Sequence, residues 1–515
     1  MDGSPMRSFS QVRVFLYVDG LRAQQELRMK SNGLPSSVIA MMALFSACLP
    51  AHGQVPVVTY DLVIHGGRVI DPETGLDAIR DVGITGNTIA AVSTEKLHGK
   101  RILDAGGLIV SPGFIDLHQH GQEPEDYRLK AFDGVTSALE MEIGARDIST
   151  YLSERSGGAL INYGATANYD AARATAFHTP VPQGEILPHA GPGTNDPATP
   201  EQIQQIESIL REQIHAGALG VGMGIQYVPG ANHAEVIQIF QLAASYHLPV
   251  YTHVRSAGAI DPGSVEAVGE VIAAAAVTGA SLHVVHINSS CLKLAPLCLQ
   301  MVAGARARGL DVTTEAYPYI AGMTQINAAL FNPGWQEKFG ITYHDLALPD
   351  TGERLTRERF EQLHADPKPQ TVLLFMNDET TVDNDIRNPL VMIASDGVRG
   401  HPREAGTYCR ILARYVREQR SLTLSDAVRK MSLMPAQRLA ASTPVGARKG
   451  RIQPGADADI VVFDLTTVTD HSTYGHPDET STGMRYVLVQ GVPIIEDGKL
   501  LSNKLPGKSI TATPH

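Results

Sequence analysis

Pro112-Gly-Phe-Ile-Asp-Leu-His-Gln-His120 combines a short apolar strand with two histidines where that strand ends. Because residues i and i+2 of a strand point to the same side, the imidazoles of His118 and His120 can bind one metal ion. Other apolar runs further along the chain also end in polar side chains. They are Leu248-Pro-Val-Tyr-Thr-His253, Leu282-His-Val-Val-His286, Leu310-Asp-Val-Thr-Thr-Glu315 and Val391-Met-Ile-Ala-Ser395. Such near-continuous apolar strands are typical of a parallel sheet.

Helical patterns separate these strands. One follows Thr199-Pro200, a favourable cap and first residue, and two others cover residues 264–278 and 292–308. Strands that alternate with helices predict an α/β fold, and residues 114–439 are long enough for a (β/α)8 barrel. A doubly wound sheet is the alternative, but no glycine-rich phosphate loop opens the pattern.

Both ends of the chain have a different pattern. Residues 60–113 and 451–499 read as short strands that glycine and asparagine interrupt. We therefore expect segments 54–113 and 440–515 to form one small β-sandwich. Residues 326–385 are long, polar and without a clear period, and they predict an irregular insertion before the last barrel strand that covers the site.

Metal-binding side chains are expected at the carboxyl ends of the barrel strands, where the catalytic groups of such barrels lie. The candidates are His118 and His120 after the first strand, His253 after the fifth, His286 after the sixth and Asp396 after the eighth. Four histidines with carboxylates can hold one or two divalent ions, and this ligand set suits zinc. A bound metal ion activates water and polarises a carbonyl, while Asp396 can move the proton.

The second strand ends with two carboxylates, Glu140 and Glu142. Carboxylates in a barrel mouth are costly to bury unless they are paired or bind metal, so one of them can bridge two ions. Glu142 lies nearer the strand end and is the preferred bridge, with Glu140 as the alternative. A carboxylated lysine on strands two to five is excluded, because no lysine lies between Lys130 and Lys293.

The net charge bears on the partner of the protein, and the N-terminal residues bear on its location. The chain has 42 basic and 54 acidic residues and a net charge of -12, which argues against nucleic acid as a partner. The sequence predicts a signal peptide at about 29–53. Its features are Lys30, the apolar run Val38–Leu49 and the small residues before Gln54. Residues 1–53 are then an extension plus signal peptide, and the mature protein is periplasmic or secreted. The apolar run is too short to span a membrane.

The four cysteines exclude a disulfide-based scaffold. Cys48 lies in an imperfect lipobox, so a lipid anchor there is the alternative to a free mature protein. For Cys291, Cys298 and Cys409 the sequence favours structural thiols.

The chain resembles the amidohydrolase superfamily and, within it, the N-acyl-D-amino-acid deacylases (D-aminoacylases). The resemblance covers residues 60–500, and several motifs carry it besides the Pro112–His120 stretch. They are Gly217-Ala-Leu-Gly-Val-Gly-Met-Gly-Ile-Gln-Tyr-Val-Pro-Gly230, Thr252-His-Val-Arg255, Ala316-Tyr-Pro-Tyr-Ile-Ala-Gly-Met-Thr324, Ser395-Asp-Gly397 and His401-Pro-Arg-Glu-Ala-Gly-Thr407. It implies zinc, a barrel with a β-sandwich, an insertion before strand eight and hydrolysis of an N-acyl amide.

The resemblance also implies roles for individual residues. His118, His120, His253 and His286 become metal ligands, and Asp396 becomes a ligand and the catalytic acid–base. The predicted substrate-binding residues are Tyr227, Arg255, Asn288, Tyr317 and Arg403, of which Tyr317 and Arg403 match positions that hold the substrate carboxylate.

Three positions depart from the family pattern. The family bridges its metals with a cysteine after strand two, where this chain has Glu140, Glu142 and Ile143. Two residues after the sixth-strand histidine, where the family commonly has a lysine, this chain has Asn288. In the tyrosine loop, where the family commonly has a serine, it has Met323. Each loss removes roughly 1–3 kcal/mol of binding to an anionic ligand. A glutamate bridge is also expected to hold two metals more evenly than a thiolate does.

The sequence therefore predicts a metal-dependent hydrolase that cleaves a linear N-acyl amide, an N-acyl-D-amino acid, as a small-molecule substrate. A cyclic amidohydrolase or dipeptidase on the same barrel is the enzymatic alternative. A non-catalytic periplasmic binding protein is the alternative of a different class. The sequence does not predict an oligomeric state.

Overall fold

The computed structural model describes residues 58–181, 187–366, 368 and 370–513. The predicted signal peptide and Cys48 lie outside the described residues. The strands, in chain order, are β1 (Thr59–Asp71), β2 (Leu76–Thr85), β3 (Thr88–Ser93), β4 (His98–Asp104), β5 (Ile109–Pro112), β6 (Phe114–Asp116), β7 (Val135–Ala145), β8 (Asn162–Asn168), β9 (Val221–Gly224), β10 (Val250–His253), β11 (Leu282–Val284), β12 (Val312–Ala316), β13 (Ala321–Gln325), β14 (Leu346–Ala347), β15 (Thr371–Phe375), β16 (Val391–Ile393), β17 (Ile460–Phe463), β18 (Met484–Val489), β19 (Val492–Glu496) and β20 (Lys499–Leu500).

Helices connect the strands and cover the outside of the barrel. They are α1 (Pro124–Phe132), α2 (Ile148–Glu154), α3 (Tyr169–Ala176), α4 (Pro192–Asn195), α5 (Pro200–His215), α6 (His233–Ser245), α7 (Ser264–Thr278), α8 (Ile287–Cys291), α9 (Ala295–Ala307), α10 (Trp335–Phe339), α11 (Arg357–His364), α12 (Glu379–Arg387), α13 (Arg403–Arg410), α14 (Leu424–Val428) and α15 (Met434–Leu439). Residues Ile411–Glu418 and Arg429–Leu433 are π-helical.

The central sheet has eight parallel strands in the order β6-β7-β8-β9-β10-β11-β12-β16. Its strands are buried almost throughout, as β7 shows, because side chains fill the interior and helices cover the exterior. Helix α5 illustrates how the sequence sets a boundary. Thr199 and Gln202 form a reciprocal capping box around Pro200, and the apolar face of the helix is buried. The predicted barrel class is confirmed.

The first and last barrel strands, β6 and β16, meet through polar groups. The backbone of Gly397 bonds to that of His118 and His120 at 3.3 and 2.9 Å. Behind this contact, buried Asp116 accepts hydrogen bonds from Ser395 N at 3.0 Å and Ser395 Oγ at 2.5 Å, and it pairs with Lys130 at 3.0 Å. The same turn thus closes the barrel and carries the two histidines.

Both chain ends build a second sheet. Its nine strands have the order β20-β19-β18-β17-β5-β1-β2-β3, with β4 paired to β1, and β17 joins the C-terminal segment to β5. Apolar side chains of both segments share one buried cluster, which includes Ile64, Val82, Ile460 and Leu488. The two ends of the chain therefore join in one separate sheet, as the sequence predicts.

The segment before the last barrel strand is more regular than predicted. Strands β13, β14 and β15 form an antiparallel three-stranded sheet. Phe331, Trp335, Phe339 and Phe360 form a separate core beside it. The expectation of an irregular insertion is wrong, because these apolar residues are widely spaced among polar ones and show no period in the sequence.

The thiol prediction also needs correction, since Cys291 and Cys298 form a disulfide and the described thiol of Cys409 is free and buried. On one straight helix, residues seven apart lie about 10 Å from each other. The chain instead breaks at Leu292, whose φ is 49°, and this brings the two Cα atoms to 6.6 Å.

Candidate metal centre

The predicted metal ligands converge at the carboxyl ends of five barrel strands. His118 and His120 follow β6, Glu142 lies in β7, and His253 is the last residue of β10. His286 follows β11 and Asp396 follows β16, and these two carry the positive φ angles 27° and 51°. Non-glycine residues adopt such angles at a cost, and they persist where the surrounding structure holds them, commonly at functional sites.

One set of ligand atoms comes from His118, His120, Glu142 and Asp396. His118 Nε2 and His120 Nε2 lie 3.2 Å apart, and each lies 3.1 Å from Glu142 Oε2 and 3.4 Å from Asp396 Oδ1. Ligand atoms about 2.0 Å from a tetrahedral zinc ion lie about 3.3 Å from each other. The spacing and chemistry of this set therefore fit a zinc ion.

A second set comes from Glu142, His253 and His286. Glu142 Oε1 lies 2.9 Å from His253 Nδ1 and 2.8 Å from His286 Nε2, and the two nitrogens lie 3.1 Å apart. Glu142 thus turns one oxygen to each set, which is the geometry of a bridging carboxylate. With three protein ligands, this set leaves a position for water or substrate.

Glu140 does not belong to either set. Its Oε2 lies 2.7 Å from His120 Nδ1, and its Oε1 accepts hydrogen bonds from the backbone N–H groups of Ile143 and Gly144. It therefore orients His120 from behind. Of the two carboxylates that the sequence leaves open, the structure places Glu142 between the histidines.

Hydrogen bonds behind the other histidines were not predicted. His118 Nδ1 contacts Glu315 Oε1 at 2.6 Å, and the other oxygen of Glu315 contacts His283 at 3.0 Å. His253 Nε2 contacts Gln226 Oε1 at 2.7 Å, which leaves Nδ1 to face Glu142. Glu315 ends one of the strands that the sequence predicts, but this strand also carries Thr313 and Thr314, so the contact with His118 does not follow from the pattern.

Charge keeps both inner carboxylates ionised. Burial acts to raise the pKa of Glu142, but His118 and the neighbouring histidines outweigh it and hold that pKa well below its ordinary value. Burial likewise opposes the ionised form of Asp396, and Arg403 together with His118 holds the pKa of that carboxyl below its ordinary range. Both groups are therefore available as ligands and proton acceptors at neutral pH.

A cavity of about 60 Å³ opens directly above these groups, and one of about 170 Å³ adjoins it. Tyr227 lines both, and Tyr317 lines the smaller. The remaining wall is largely apolar and includes Met323, Leu330 and Met376, which the inserted segment 321–387 supplies. No lysine or arginine is among the described residues that line either cavity.

The other predicted substrate-binding residues lie further from the cavities. Arg403 is buried behind Asp396, with Nη1 2.8 Å from Asp396 Oδ2 and its guanidinium 4.7 Å from the centre of the Tyr317 ring. Asn288 is buried and donates to the carbonyl of Tyr317 at 3.2 Å. Ser289, which was not predicted, lines the smaller cavity.

Arg255 does not reach the site. Its guanidinium donates to both oxygens of Glu270 at 2.6 and 2.8 Å and to the carbonyl of Ala231. The structure therefore does not bring Arg255 to the site, because proximity in sequence to His253 does not set side-chain direction at a strand end.

Comparison with known proteins finds a matching family and similar enzymes. The amidohydrolase family model matches residues 288–495. The chain is 32% identical over 470 residues to N-acyl-D-glutamate deacylase from Alcaligenes xylosoxydans xylosoxydans, which covers 84% of this chain and 93% of the relative. D-aminoacylase from the same organism is 29% identical over 472 residues, covering 85% of this chain and 95% of the relative.

Among solved structures, N-acyl-D-glutamate deacylase from Bordetella bronchiseptica, complexed with zinc and a phosphonate mimic of the tetrahedral intermediate, has a TM-score of 0.74. It is 27% identical and covers 88% of this chain and 100% of that chain. Fold, site and similarity together define an amidohydrolase, a hydrolase of carbon–nitrogen bonds other than peptide bonds. Within that superfamily the chain belongs to the N-acyl-D-amino-acid deacylase (D-aminoacylase) family, whose members act on N-acyl amides. None of the described helices is long and apolar enough to cross a membrane.

Proposed function

We propose that the protein is a zinc-dependent deacylase of N-acyl-D-amino acids with uncharged side chains. The observation that carries this proposal is Glu142, which turns one oxygen to each of two histidine-containing ligand sets. His118, His120, Glu142 and Asp396 would hold one zinc ion, and Glu142, His253 and His286 a second. Bound zinc supplies an activated water and polarises the amide carbonyl.

Asp396 performs the proton transfers in this mechanism. Its Oδ1 faces the histidines and its Oδ2 faces Arg403. Asp396 accepts a proton from the attacking water as the C–O bond forms, and it donates that proton to the amine nitrogen as the C–N bond breaks. The ion pair with Arg403 fixes the carboxylate for both steps.

The pocket supports the choice of substrate. Tyr317, which lines the smaller cavity, is the group that would meet a substrate carboxylate there, and the Arg403 guanidinium lies 4.7 Å from the centre of its ring and adds positive charge behind it. An acidic side chain would need a cation in the cavity wall, yet none of the described residues that line either cavity is a lysine or arginine, and Met323, Leu330 and Met376 line the smaller one. We therefore expect this protein to share the reaction of the relatives named for D-glutamate, but not a preference for an acidic side chain.

The test is a panel of N-acetyl and N-formyl amino acids of both hands, assayed for free amine with zinc and with chelator. The proposal expects turnover of D-configured substrates with apolar side chains and loss of turnover with chelator. Turnover of cyclic amides or dipeptides alone, or of L-configured substrates alone, would contradict it. Asp396→Asn protein serves as the matched control for contaminating hydrolases.

We further propose that the mature protein is exported to the periplasm or beyond. The apolar run Val38–Leu49 supports export, and so does the Cys291–Cys298 disulfide, since disulfides persist in oxidising compartments. Cell fractionation and mass measurement under non-reducing conditions test it. We expect the chain to be periplasmic or secreted and to have lost about 50 residues and two thiol protons. A full-length reduced chain in the cytoplasm would overturn the proposal, and Cys48→Ser distinguishes a lipid-anchored form.

A further inference from the structure

We propose that the larger of the two cavities above the metal centre binds the acyl group of the substrate. The acyl groups that fit it best are straight apolar chains of about four to six carbons rather than acetyl. This inference rests on the proposed function and specifies the acyl class of its substrate. The way in which the two cavities divide the groups around the metal centre carries it.

The residues that act on the amine half of the substrate line only the smaller cavity. Asp396, which protonates the leaving nitrogen, is one of them, and Tyr317, which would meet the substrate carboxylate, is another. Neither is among the described residues that line the larger cavity. The amino-acid half of the substrate therefore occupies the smaller cavity.

The two cavities meet at the metal centre, since His120, Glu142 and Tyr227 line both of them. The amide carbonyl carbon has to lie at this junction, where water attacks it. In a planar amide the nitrogen and the first carbon of the acyl chain leave the carbonyl carbon in different directions. With the nitrogen held at Asp396, the acyl chain points into the larger cavity.

The wall of the larger cavity suits an alkyl chain. Its apolar members are Ile143, Leu187, Tyr227, Met323, Ala328 and Val398. Ile143, Tyr227 and Ala328 belong to one buried cluster, and Leu187 packs against it. Leu187 and Val398 are only partly buried, so a bound alkyl chain removes further apolar surface from water. Apart from the metal-centre carboxylate, the polar residues described in this wall are histidine, threonine and glutamine.

The size of the larger cavity sets the chain length. Its volume is about 170 Å³, against about 60 Å³ for the smaller cavity. A methylene group is similar in size to a water molecule, which occupies about 30 Å³ in the liquid, so roughly five such groups fit. An acetyl group places a single methyl in this space, whereas butanoyl to hexanoyl chains fill it. Each methylene that becomes fully buried strengthens binding about 4-fold.

The test measures kcat/KM of the zinc-loaded full chain on N-acyl-D-alanines from acetyl to decanoyl, with free D-alanine as the readout. The value should rise about 3–4-fold per methylene as far as hexanoyl and should then level off or fall. A flat or falling series would overturn the proposal but leave the proposed function intact, because the acetyl substrate is still cleaved. A rise that continues to decanoyl would overturn it as well, since the cavity cannot hold that chain.

Ala328 and Gly322 provide a matched pair of variants, because each lines only one of the cavities. Ala328→Leu fills the larger cavity and should lower the ratio of hexanoyl to acetyl kcat/KM about 10-fold. Gly322→Ala fills the smaller cavity, where its Cβ would lie 2.9 Å from the end of the Met376 side chain. It should lower the ratio of N-acetyl-D-leucine to N-acetyl-D-alanine turnover and keep the acyl ratio. The reverse pattern would place the acyl chain in the smaller cavity and overturn the proposal.

A binding measurement gives a readout without turnover. Calorimetric titration of hexanoate and of acetate into zinc-loaded protein should show hexanoate binding about 30-fold or more tightly. Ala328→Leu should remove most of this difference, and thermal unfolding checks that the variant is folded. Equal binding of the two carboxylates to the wild type would overturn the proposal. If hexanoate is preferred but no N-acyl amino acid is hydrolysed, the proposed function fails and the acyl site stands.

Discussion

Glu142 connects the two ligand sets through a single side chain, so its removal deletes one ligand from each. We predict that Glu142→Ala lowers bound zinc to less than one ion per chain at limiting zinc and reduces kcat/KM roughly 100-fold or more. Metal analysis together with the free-amine assay measures both effects. Glu142→Ala protein that still holds two zinc ions would refute the bridging assignment.

Asp396 has two functions, as a ligand and as the acid–base, and they can be separated by an isosteric change. Asparagine keeps an oxygen for the metal but cannot take up a proton. We predict that Asp396→Asn lowers kcat about 10²–10⁴-fold. Zinc binding to the position that lacks Asp396 should be unchanged. Equal losses of zinc from both positions would show instead that the variant acts through folding.

Arg403 and Arg255 provide a matched pair, because both were predicted to bind substrate and only Arg403 lies beside Asp396 and Tyr317. We predict that Arg403→Lys, which lacks the guanidinium fork, raises KM about 10-fold or more. Arg255→Lys keeps its contact with Glu270 and should change KM less than about 2-fold. Steady-state kinetics on one N-acyl-D-amino acid decide the comparison, and a larger effect of Arg255→Lys would restore the sequence-based assignment.

The sequence was informative for residues at strand ends and uninformative for contacts between elements. His118, His120, His253, His286 and Asp396 follow apolar strands, so strand geometry alone brings them to one rim. Glu140 and Glu142 are two residues apart on one strand and point the same way, and only coordinates separate them. Glu315 and Gln226 act through hydrogen bonds to other elements, which no pattern in the chain encodes.

At the scale of elements, secondary structure with a clear period was predicted well. Helices α5, α7 and α9 lie close to the predicted stretches, since capping residues and apolar spacing define them locally. The inserted sheet of β13, β14 and β15 was missed because its antiparallel pairs join segments far apart in the chain. The disulfide was missed for a related reason, because a break at Leu292 rather than a continuous helix brings its cysteines together.

Helix α12 carries a buried carboxylate that links stability to pH. Burial, with the nearby charge of Asp378, raises the pKa of Asp385 from 3.8 to about 7. The folded protein holds this proton at pH values where the unfolded chain releases it. The stability from this group is therefore complete below about pH 4 and is lost as the pH rises to about 7.

We predict that Asp385→Asn removes this loss, because an amide has no charge to desolvate. Its Tm should exceed that of the wild type by about 2–4 °C at pH 7.5, and the difference should shrink towards pH 4.5. Thermal unfolding of both proteins in the same buffers measures the difference, in which other titrating groups cancel. A difference that is constant with pH would contradict the assigned pKa.

Buried polar side chains join the first and last strands of the barrel. Strands β6 and β16 meet through Asp116, Lys130 and Ser395, and the metal ligands lie directly beyond that contact. The fold class could be predicted because alternating strands and helices allow few arrangements. The way in which the barrel closes could not, since it depends on buried polar side chains from opposite ends of the barrel sequence.

The metal centre should therefore stabilise the entire barrel as well as catalyse. Its ligands come from β7 and β10 and from the turns after β6, β11 and β16, so a bound ion cross-links the rim, and ions that bind only the folded state raise its stability. At zinc 1,000-fold above Kd the gain is about 4 kcal/mol, which predicts that chelation lowers Tm by roughly 5–10 °C. Glu142→Ala should show less than half of that shift, because it lacks a ligand in both sets, whereas Arg255→Lys should show all of it. Scanning calorimetry with and without chelator measures these shifts, and an equal shift in Glu142→Ala and wild type would mean that the stabilising ion binds elsewhere.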